Sequence, residues 1–451
     1  MNRCLFLVLG CLALRAADTG SAVFYNIDGS QTQIWTATRW LTVGPDGELN
    51  WDRLPATADL RTHVKGILTS GSAPSSTAQA FGIKVGFASF GTDRGKPITA
   101  LSGKPMSIME EAQQAGKAVG IVSNANVLAP GTGVFYGKIS PEQMLPIDKT
   151  SSGWMTVAEQ MLEAKPDLVL GGGETFFLPA GAAGRHGKGR RTDGKDLIAR
   201  AKDLGYHVVY TREELKQTSL SAKRVLGLFA AGDLFKASSD EDLRDCKVVK
   251  AVSTAPTILE MTEFALSFLE KKPKGFFLAM NGEIADNYSG ELNARDTMLA
   301  LAEDDKTLGV ILRHMERAPK THLLTLGDGP SAGFSPIAAF FPGQRFPADA
   351  PLPATDPTTG APVDGRDGTA TPPFVAAPDR FGERLTFAVS WSTKADHAGG
   401  ILMRAAGYRA DLIHGSMDNT DVYRVLYEVL FGKRLPAQGG SVNMVKDGKR
   451  K

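Results

Sequence analysis

The chain repeats short apolar runs that are separated by longer amphipathic segments. The apolar runs are rich in Val, Ile, Leu and Phe, and several end at aspartate or glycine, which is typical of buried strands. We predict strands at residues 22–27, 118–122, 168–170, 207–210, 225–229, 276–280, 323–326 and 385–391.

The segments between these runs show helical periodicity. The segment 258–269 is the clearest, because Ile258, Met261, Ala265 and Phe268 fall on one face of a helix. We predict helices at residues 106–115, 157–164, 197–204, 258–269, 298–315 and 422–431.

This alternation predicts an α/β fold, a three-layer sandwich around a large, mostly parallel sheet. Two stretches interrupt it: residues 179–194 are rich in Gly, Arg and Lys, and residues 341–382 are rich in Pro, Gly and Asp. We expect both to be long loops at the rim of the sheet. With no repeat and no linker in the sequence, residues 18–451 are expected to form a single domain.

Composition narrows the functional classes. A net charge of +2 over 451 residues favours neither a nucleic-acid-binding protein nor a protein that binds acidic ligands through its overall charge. No stretch after the N-terminus is apolar for long enough to cross a bilayer.

Residues 1–17 have the pattern of an export signal. Arg3 is followed by an apolar run, and Ala13, Ala16 and Ala17 supply small residues for cleavage. A lipoprotein-type reading of Gly10-Cys11 ranks second because the apolar run before it is short. We expect a periplasmic or secreted protein, and Cys246 alone then remains, which excludes an intramolecular disulfide and a thiolate metal cluster.

Ser72 is the predicted nucleophile. Ile67 and Leu68 form a short apolar entry before it, and a helix-compatible run follows from Ser75. A serine at a helix N-terminus faces unpaired N–H groups and the positive end of the helix dipole, which suits a phosphate. The alternative is that Ser72 or Ser75 only caps the helix.

Four further residues follow predicted strands: Asp28, Asp286, Asp328 and His397. Because chemistry collects beyond the carboxyl ends of parallel strands, they could meet Ser72 at one rim. Oxygen donors with an imidazole suit zinc, magnesium or manganese. Each residue alone also has an ordinary explanation, as a turn residue or a hydrogen-bonded loop histidine.

The order of these segments resembles the alkaline phosphatase family over nearly all of the chain after residue 17. The segments that carry the resemblance are Tyr25-Asn-Ile-Asp28-Gly29, Thr36-Ala-Thr-Arg39, Gly71-Ser72-Ala73, Gly82-Ile-Lys84, Leu170-Gly-Gly-Gly-Glu174, Thr192 to Leu197, Leu226 to Phe229, Asp286, Asp328, His397-Ala-Gly-Gly400 and Asp418-Asn-Thr-Asp421.

The resemblance implies hydrolysis of phosphate monoesters through a phosphoserine on Ser72, with two zinc ions and a magnesium. It implies that Asp28 and Asp328 hold the metal that activates Ser72, and that Asp286 and His397 hold the metal facing the leaving oxygen. The implied partner is a small phosphorylated substrate, with neither nucleic acid nor a membrane span; a homodimer is one option for the assembly.

The chain departs from the family pattern at several positions. Gly71 stands at an aspartate position, Gly290 and Gly329 at histidine ligand positions, and Ala129, Gly131 and Asn281 at magnesium-site positions. The magnesium site is therefore expected to be lost. The arginine that would clamp the phosphate is also missing; Lys138 is the nearest cation, and its register does not match. Nearby donors that could compensate are Asn287, Glu283, Asn126, His186 and Arg185.

Three hypotheses follow. The first is an exported, metal-dependent phosphomonoesterase with an altered ligand set. The second is a catalytically impaired protein of the same fold that binds a phosphorylated or other anionic ligand. The third keeps the metallohydrolase chemistry but cleaves a sulfate ester or a phosphodiester. The retained serine, carboxylates and histidine favour the first.

Overall fold

The computed structural model describes residues 18–145, 152–236, 239 and 252–436. Its strands are β1 Ser21–Ile27, β2 Ala56–Arg61, β3 Ala118–Asn126, β4 Leu168–Gly172, β5 Tyr206–Val209, β6 Arg224–Leu228, β7 Phe276–Gly282, β8 Thr321–Leu326, β9 Ser335–Ile337, β10 Val363–Gly365, β11 Gly368–Thr369, β12 Phe374–Val375, β13 Thr386–Ser390, β14 Leu402–Gly407 and β15 His414–Asp418.

The helices alternate with these strands. They are α1 Thr32–Thr42, α2 Ser72–Phe81, α3 Ile108–Gln114, α4 Pro130–Gly133, α5 Pro141–Met144, α6 Ser152–Ala164, α7 Leu197–Asp203, α8 Arg212–Gln217, α9 Ile258–Leu269, α10 Ile284–Gly290, α11 Ala294–Arg317 and α12 Asp421–Phe431. Two short 3₁₀ helices lie at Glu174–Phe177 and Ala410–Leu412.

The main sheet has ten strands in the order β15-β2-β14-β8-β1-β7-β3-β4-β6-β5. All neighbours are parallel except β14, which runs antiparallel to both β8 and β2. Strand β1 lies between β7 and β8, with Tyr25 beside Met280 on one side and Thr325 on the other. The carboxyl ends of these three strands therefore open at the same edge.

Two hydrophobic clusters lie on the two faces of the sheet. One packs Phe81 of α2 and Leu426 of α12 against the sheet, and the other packs Met261 of α9 and Leu308 of α11. The predicted three-layer α/β sandwich with a mostly parallel sheet is thus confirmed. Helix α9 has the predicted bounds, because the apolar face that defines it is buried.

The predicted strand 385–391 is real but was assigned to the wrong sheet. Strand β13 belongs to a separate small sheet, where it runs antiparallel to β9, β10 and β12. Strands β10, β11 and β12 of this sheet come from residues 341–382, the stretch predicted to be loop. Pairing between segments far apart in sequence leaves little local signal.

The apolar residues before Ser72 do not form a buried entry to the helix, which corrects the prediction. Strand β2 ends at Arg61, and the side chains of Ile67 and Leu68 are exposed, Leu68 by 85%. The export-signal prediction for residues 1–17 and Cys246 lie outside the described residues. Within the part that the structure describes, no helix is long and apolar enough to cross a membrane.

Candidate active site

Three predicted site residues lie at the shared edge of β1, β7 and β8. Asp28 follows β1 directly, Asp286 lies in the first turn of α10 after β7, and Asp328 lies two residues beyond β8. Asp28 and Asp328 are each only 2% exposed. Parallel pairing of the three strands is the reason that residues so far apart in sequence share one edge.

Gly29 is the point of contact between these carboxylates. Its N–H points to Asp328 Oδ1 at 3.4 Å, and a Cβ added to it would lie 2.7 Å from Asp286 Oδ1. Its φ of +68° also favours glycine. The structure therefore brings Asp28, Asp286 and Asp328 together around a residue that must stay small.

The three carboxylates repel one another. Burial, followed by the charges of Asp328 and Asp286, raises the pKa of Asp28 well above its ordinary value. Burial and then the charge of Asp328 raise the pKa of Asp286 to about 6, although a hydrogen bond with Ser331 opposes the shift. A bound cation that neutralises these charges therefore stabilises the cluster.

Asp396 joins this cluster, and the sequence reasoning missed it. Burial and the charges of Asp286 and Asp328 raise the pKa of Asp396 to about 8. Its neighbour His397 behaves differently: its backbone N–H donates to the carbonyl of Pro330 at 3.0 Å, and burial lowers the pKa of its imidazole. Nδ1 of His397 has no hydrogen-bond partner among the described residues.

Glu283 extends the acidic group toward the cleft. Burial, then the charges of Asp233, Asp286 and Asp328, raise the pKa of Glu283 well above its ordinary value. Asn281 Nδ2 donates to Glu283 Oε2 at 2.9 Å, which opposes that shift.

Ser72 is the first residue of α2. Gly71 before it is extended and has no side chain to cap the helix, so the serine takes the N-terminal position that the sequence predicted. Every later residue of α2 is buried, which fixes the direction of the helix. The positive end of its dipole therefore faces the space next to Ser72.

Ser72 and Asp286 face one cleft of about 540 Å³. The residues lining it are Ser72, Ala73, Phe90, Asn126, Ala129, Pro130, Met144, Trp154, Phe176, Arg190, Gly232, Asp233, Glu283, Asp286 and Asn287. Asp28 and Asp328 are not among the lining residues. Their charges interact with that of Asp286, which lines the cleft. A serine, several carboxylates and one arginine thus share a partly aromatic space.

The family model of alkaline phosphatase matches residues 27–336 of the chain. The chain belongs to the alkaline phosphatase family. This match covers the segments of Asp28, Ser72, Asp286 and Asp328 and ends before His397.

Individual relatives agree with the family model. The tissue-nonspecific alkaline phosphatase of Gallus gallus is 27% identical over 333 residues, which cover 67% of this chain and 62% of the relative. The alkaline phosphatase of Gadus morhua is 26% identical over 289 residues, covering 59% of this chain and 58% of the relative. The matches thus span about three fifths of these relatives.

Solved structures show the same fold. The alkaline phosphatase of Thermus thermophilus aligns with a TM-score of 0.67 at 22% identity, covering 93% of each chain. The enzyme from the Antarctic bacterium TAB5 aligns with a TM-score of 0.66 at 18% identity, covering 92% of this chain and 99% of that one.

Three glycines of this alkaline phosphatase family member, at positions where the resemblance predicts side chains, differ in the space around them. A Cβ added to Gly290 would meet nothing within 4 Å, and at Gly71 the nearest atom would be 3.8 Å away. At Gly329, by contrast, an added Cβ would lie 1.8 Å from Ser70 Oγ. Gly329 is therefore closed to a side chain by Ser70, whereas Gly71 and Gly290 are open.

The cations and polar residues named from the sequence divide into two groups. Asn126, Glu283 and Asn287 line the cleft. Lys138 pairs instead with Glu110, Arg185 pairs with Glu214, and His186 Nε2 contacts the carbonyl of Tyr210. Arg190, which the sequence reasoning missed, lines the cleft; its only signal was its place in a loop rich in Gly, Arg and Lys.

The carboxylates of the site are possible ligands for the metals that the family resemblance implies. Across the described residues, no group of three or more His, Cys, Asp or Glu side chains is arranged to hold a metal ion. Asp28, Asp286 and Asp328 nevertheless crowd around Gly29 with raised pKa values for the first two, so their charge and donor type fit a divalent cation. Ala129 and Gly131 offer no side-chain oxygen, so the residues expected for magnesium do not fit it.

Proposed function

We propose that this chain hydrolyses phosphate monoesters, with Ser72 as the nucleophile. The observation that supports the proposal is that Ser72, at the N-terminus of α2, shares a cleft with Asp286 and Glu283 in a member of the alkaline phosphatase family. A serine beside carboxylates and a helix N-terminus matches attack on a phosphorus centre better than simple helix capping.

The reaction would proceed in two displacements. Ser72 Oγ forms a bond to phosphorus while the bond between phosphorus and the ester oxygen breaks, and the alcohol leaves with a proton. Water then attacks the phosphoserine and releases phosphate, which restores the serine. The N–H groups at the start of α2 face the phosphoryl oxygens in both steps.

A divalent cation, zinc rather than magnesium, is part of this proposal. Asp28 and Asp328 would hold it next to Ser72, and Asp286 with His397 would hold a second one. Bound there, the cations would lower the pKa of the serine hydroxyl and balance charge on the phosphoryl group. Asp396 would share this role, because its charge acts on Asp286 and Asp328.

The setting of the reaction follows from the sequence. Residues 1–17 would direct export, giving a periplasmic or secreted enzyme that acts on small phosphorylated substrates. A homodimer is compatible with this function, and the proposed chemistry does not require one.

The test is hydrolysis of p-nitrophenyl phosphate by protein purified without chelator. We expect Ser72→Ala to lower kcat by at least about 10³-fold while the fold is retained. Ser75→Ala is the matched control, since Ser75 is buried in the same helix and its Oγ has no hydrogen-bond partner among the described residues. Trapping radiolabelled phosphate on wild type but not on Ser72→Ala would identify the intermediate.

Other outcomes select the other hypotheses. An inert wild type that carries no divalent metal and is unchanged by Ser72→Ala would favour the binding protein. Activity on a sulfate ester or a phosphodiester, with phosphate monoesters left intact, would favour the third hypothesis.

A further inference from the structure

The loop between the 3₁₀ helix Glu174–Phe177 and α7 brings a positive charge to the cleft. Arg190 of this loop lines the same cavity as Ser72. Arg190 is the one arginine among the residues that line this cleft.

The backbone at Arg190 is held firmly. Its N–H donates to the carbonyl of Thr175 at 2.8 Å. The next residue, Arg191, is only 1% exposed, and its Nη1 donates to the carbonyls of Met155 at 2.9 Å and Phe176 at 3.0 Å. The loop therefore fixes where the Arg190 side chain starts, which lowers the entropy cost of using it.

The side chain of Arg190 is free to meet an anion. Its guanidinium lies over the ring of Phe176, 5.1 Å from the centroid, and the residue is exposed. Among the described residues no carboxylate forms an ion pair with it. Arg185, on the same loop, is instead paired with Glu214 and stacked over Tyr210.

The charges of the cleft favour such an anchor. Asp233, Glu283 and Asp286 line it and repel a phosphate dianion. A guanidinium presents several N–H donors in a plane that matches two phosphoryl oxygens. An arginine in the same cleft, with no ion pair among the described residues, therefore supplies both attraction and orientation.

We propose that Arg190 binds the phosphate group of the substrate in the cleft that contains Ser72. The proposal rests on the proposed phosphatase function for its biological meaning. Its physical content, an anion anchor supplied by the loop 179–194, can be measured without catalysis.

The experiment is calorimetric titration of the metal-replete protein with inorganic phosphate. We expect Arg190→Ala to weaken phosphate binding about 10- to 100-fold, the loss of one or two charge-assisted hydrogen bonds. Arg190→Lys should recover part of the affinity, since it keeps the charge but not the planar fork. The matched control is Arg185→Ala, which removes the same charge from the same loop and should leave affinity within about twofold.

In p-nitrophenyl phosphate hydrolysis, Arg190→Ala should raise KM by a similar factor. Equal effects of Arg190→Ala and Arg185→Ala, no effect of either, or a wild type that does not bind phosphate would overturn the anchor. The two proposals can fail separately. If Arg190→Ala selectively loses phosphate binding but the wild type hydrolyses no ester, only the phosphatase function is contradicted. If Arg190→Ala is active with an unchanged KM, only the role of Arg190 as an anchor is contradicted.

Discussion

The side chain of Asn281 fills the space beside Gly131. A Cβ added to Gly131 would lie 2.2 Å from Asn281 Oδ1, which is closer than such atoms can approach. Asn281 is held in place on both sides, because it accepts from Asn26 Nδ2 at 2.9 Å and donates to Glu283 at 2.9 Å. Positions 131 and 281 are thus coupled, because the Asn281 amide occupies the room that a side chain at position 131 would need.

Adding one methyl group at this position tests the coupling. We expect Gly131→Ala to lower the free energy of unfolding by about 1–3 kcal/mol, because the new Cβ overpacks against Asn281. Truncating Asn281→Ala in the same chain should remove much of that penalty. Urea unfolding of the four proteins of this cycle measures the coupling.

The control for this cycle is Gly290→Ala, whose added Cβ would meet nothing within 4 Å. It should leave stability unchanged or slightly higher. A Gly131→Ala protein as stable as wild type would show that Asn281 moves aside freely, and the coupling would then be discarded.

The open space at Gly290 makes a second prediction. Gly290 lies four residues after Asp286 in α10, so the two positions share one face of the helix. We expect Gly290→His to tighten zinc binding by about tenfold or more, since an imidazole adds a zinc ligand beside the carboxylate. Competition titration with a chromophoric chelator measures it.

Gly290→Phe is the matched control for that substitution, because it adds a ring of similar shape without a ligand nitrogen. Equal zinc affinities in the two variants would mean that position 290 does not face the metal.

Much of the fold could be predicted because its main signals are local. The buried runs of β1, β7 and β8 and the apolar face of α9 are visible in short windows of sequence. Strands β2, β14 and β15 were missed since they are short or partly exposed, and their pairing depends on partners far along the chain. For the same reason β13 was found but assigned to the wrong sheet.

The site residues that could be predicted differ from those that were missed in a similar way. Asp28, Asp286 and Asp328 follow strands that pair with one another, so the strand ends predicted that they could meet at one rim. The contacts at Gly29 were not predicted. Asp396 and Arg190 sit on loops, where no periodicity constrains direction. The fold brings Asp396 within the influence of the charges of Asp286 and Asp328, and it brings Arg190 to the cleft.

Removal of metal should destabilise the protein. The buried carboxylates around Gly29 repel one another, and a bound cation stabilises the folded state by mass action. We expect a chelator to lower Tm by several degrees, added zinc to restore it, and Asp286→Asn to reduce the response. Differential scanning calorimetry measures the change.

The matched control for chelation is Asp203→Asn, which removes an exposed acid at the end of α7. It should respond to chelator and zinc as wild type does. If the wild-type Tm is the same with chelator and with zinc, the carboxylate cluster does not hold a cation that contributes to stability.

The final prediction concerns His322, which is buried in β8 away from the cleft. Its Nδ1 lies 2.7 Å from the carbonyl of Tyr408, and burial lowers its pKa from 6.5 to about 4. Between these values the unfolded chain binds a proton at His322 that the folded chain does not, so the contribution of His322 to the free energy of unfolding falls as pH falls. The loss should total about 3 kcal/mol from pH 6.5 to 4. In urea unfolding, His322→Asn should lack this pH-dependent contribution, whereas the exposed-site control His207→Asn should keep it. Parallel plots of the free energy of unfolding against pH for wild type and His322→Asn would contradict the assignment.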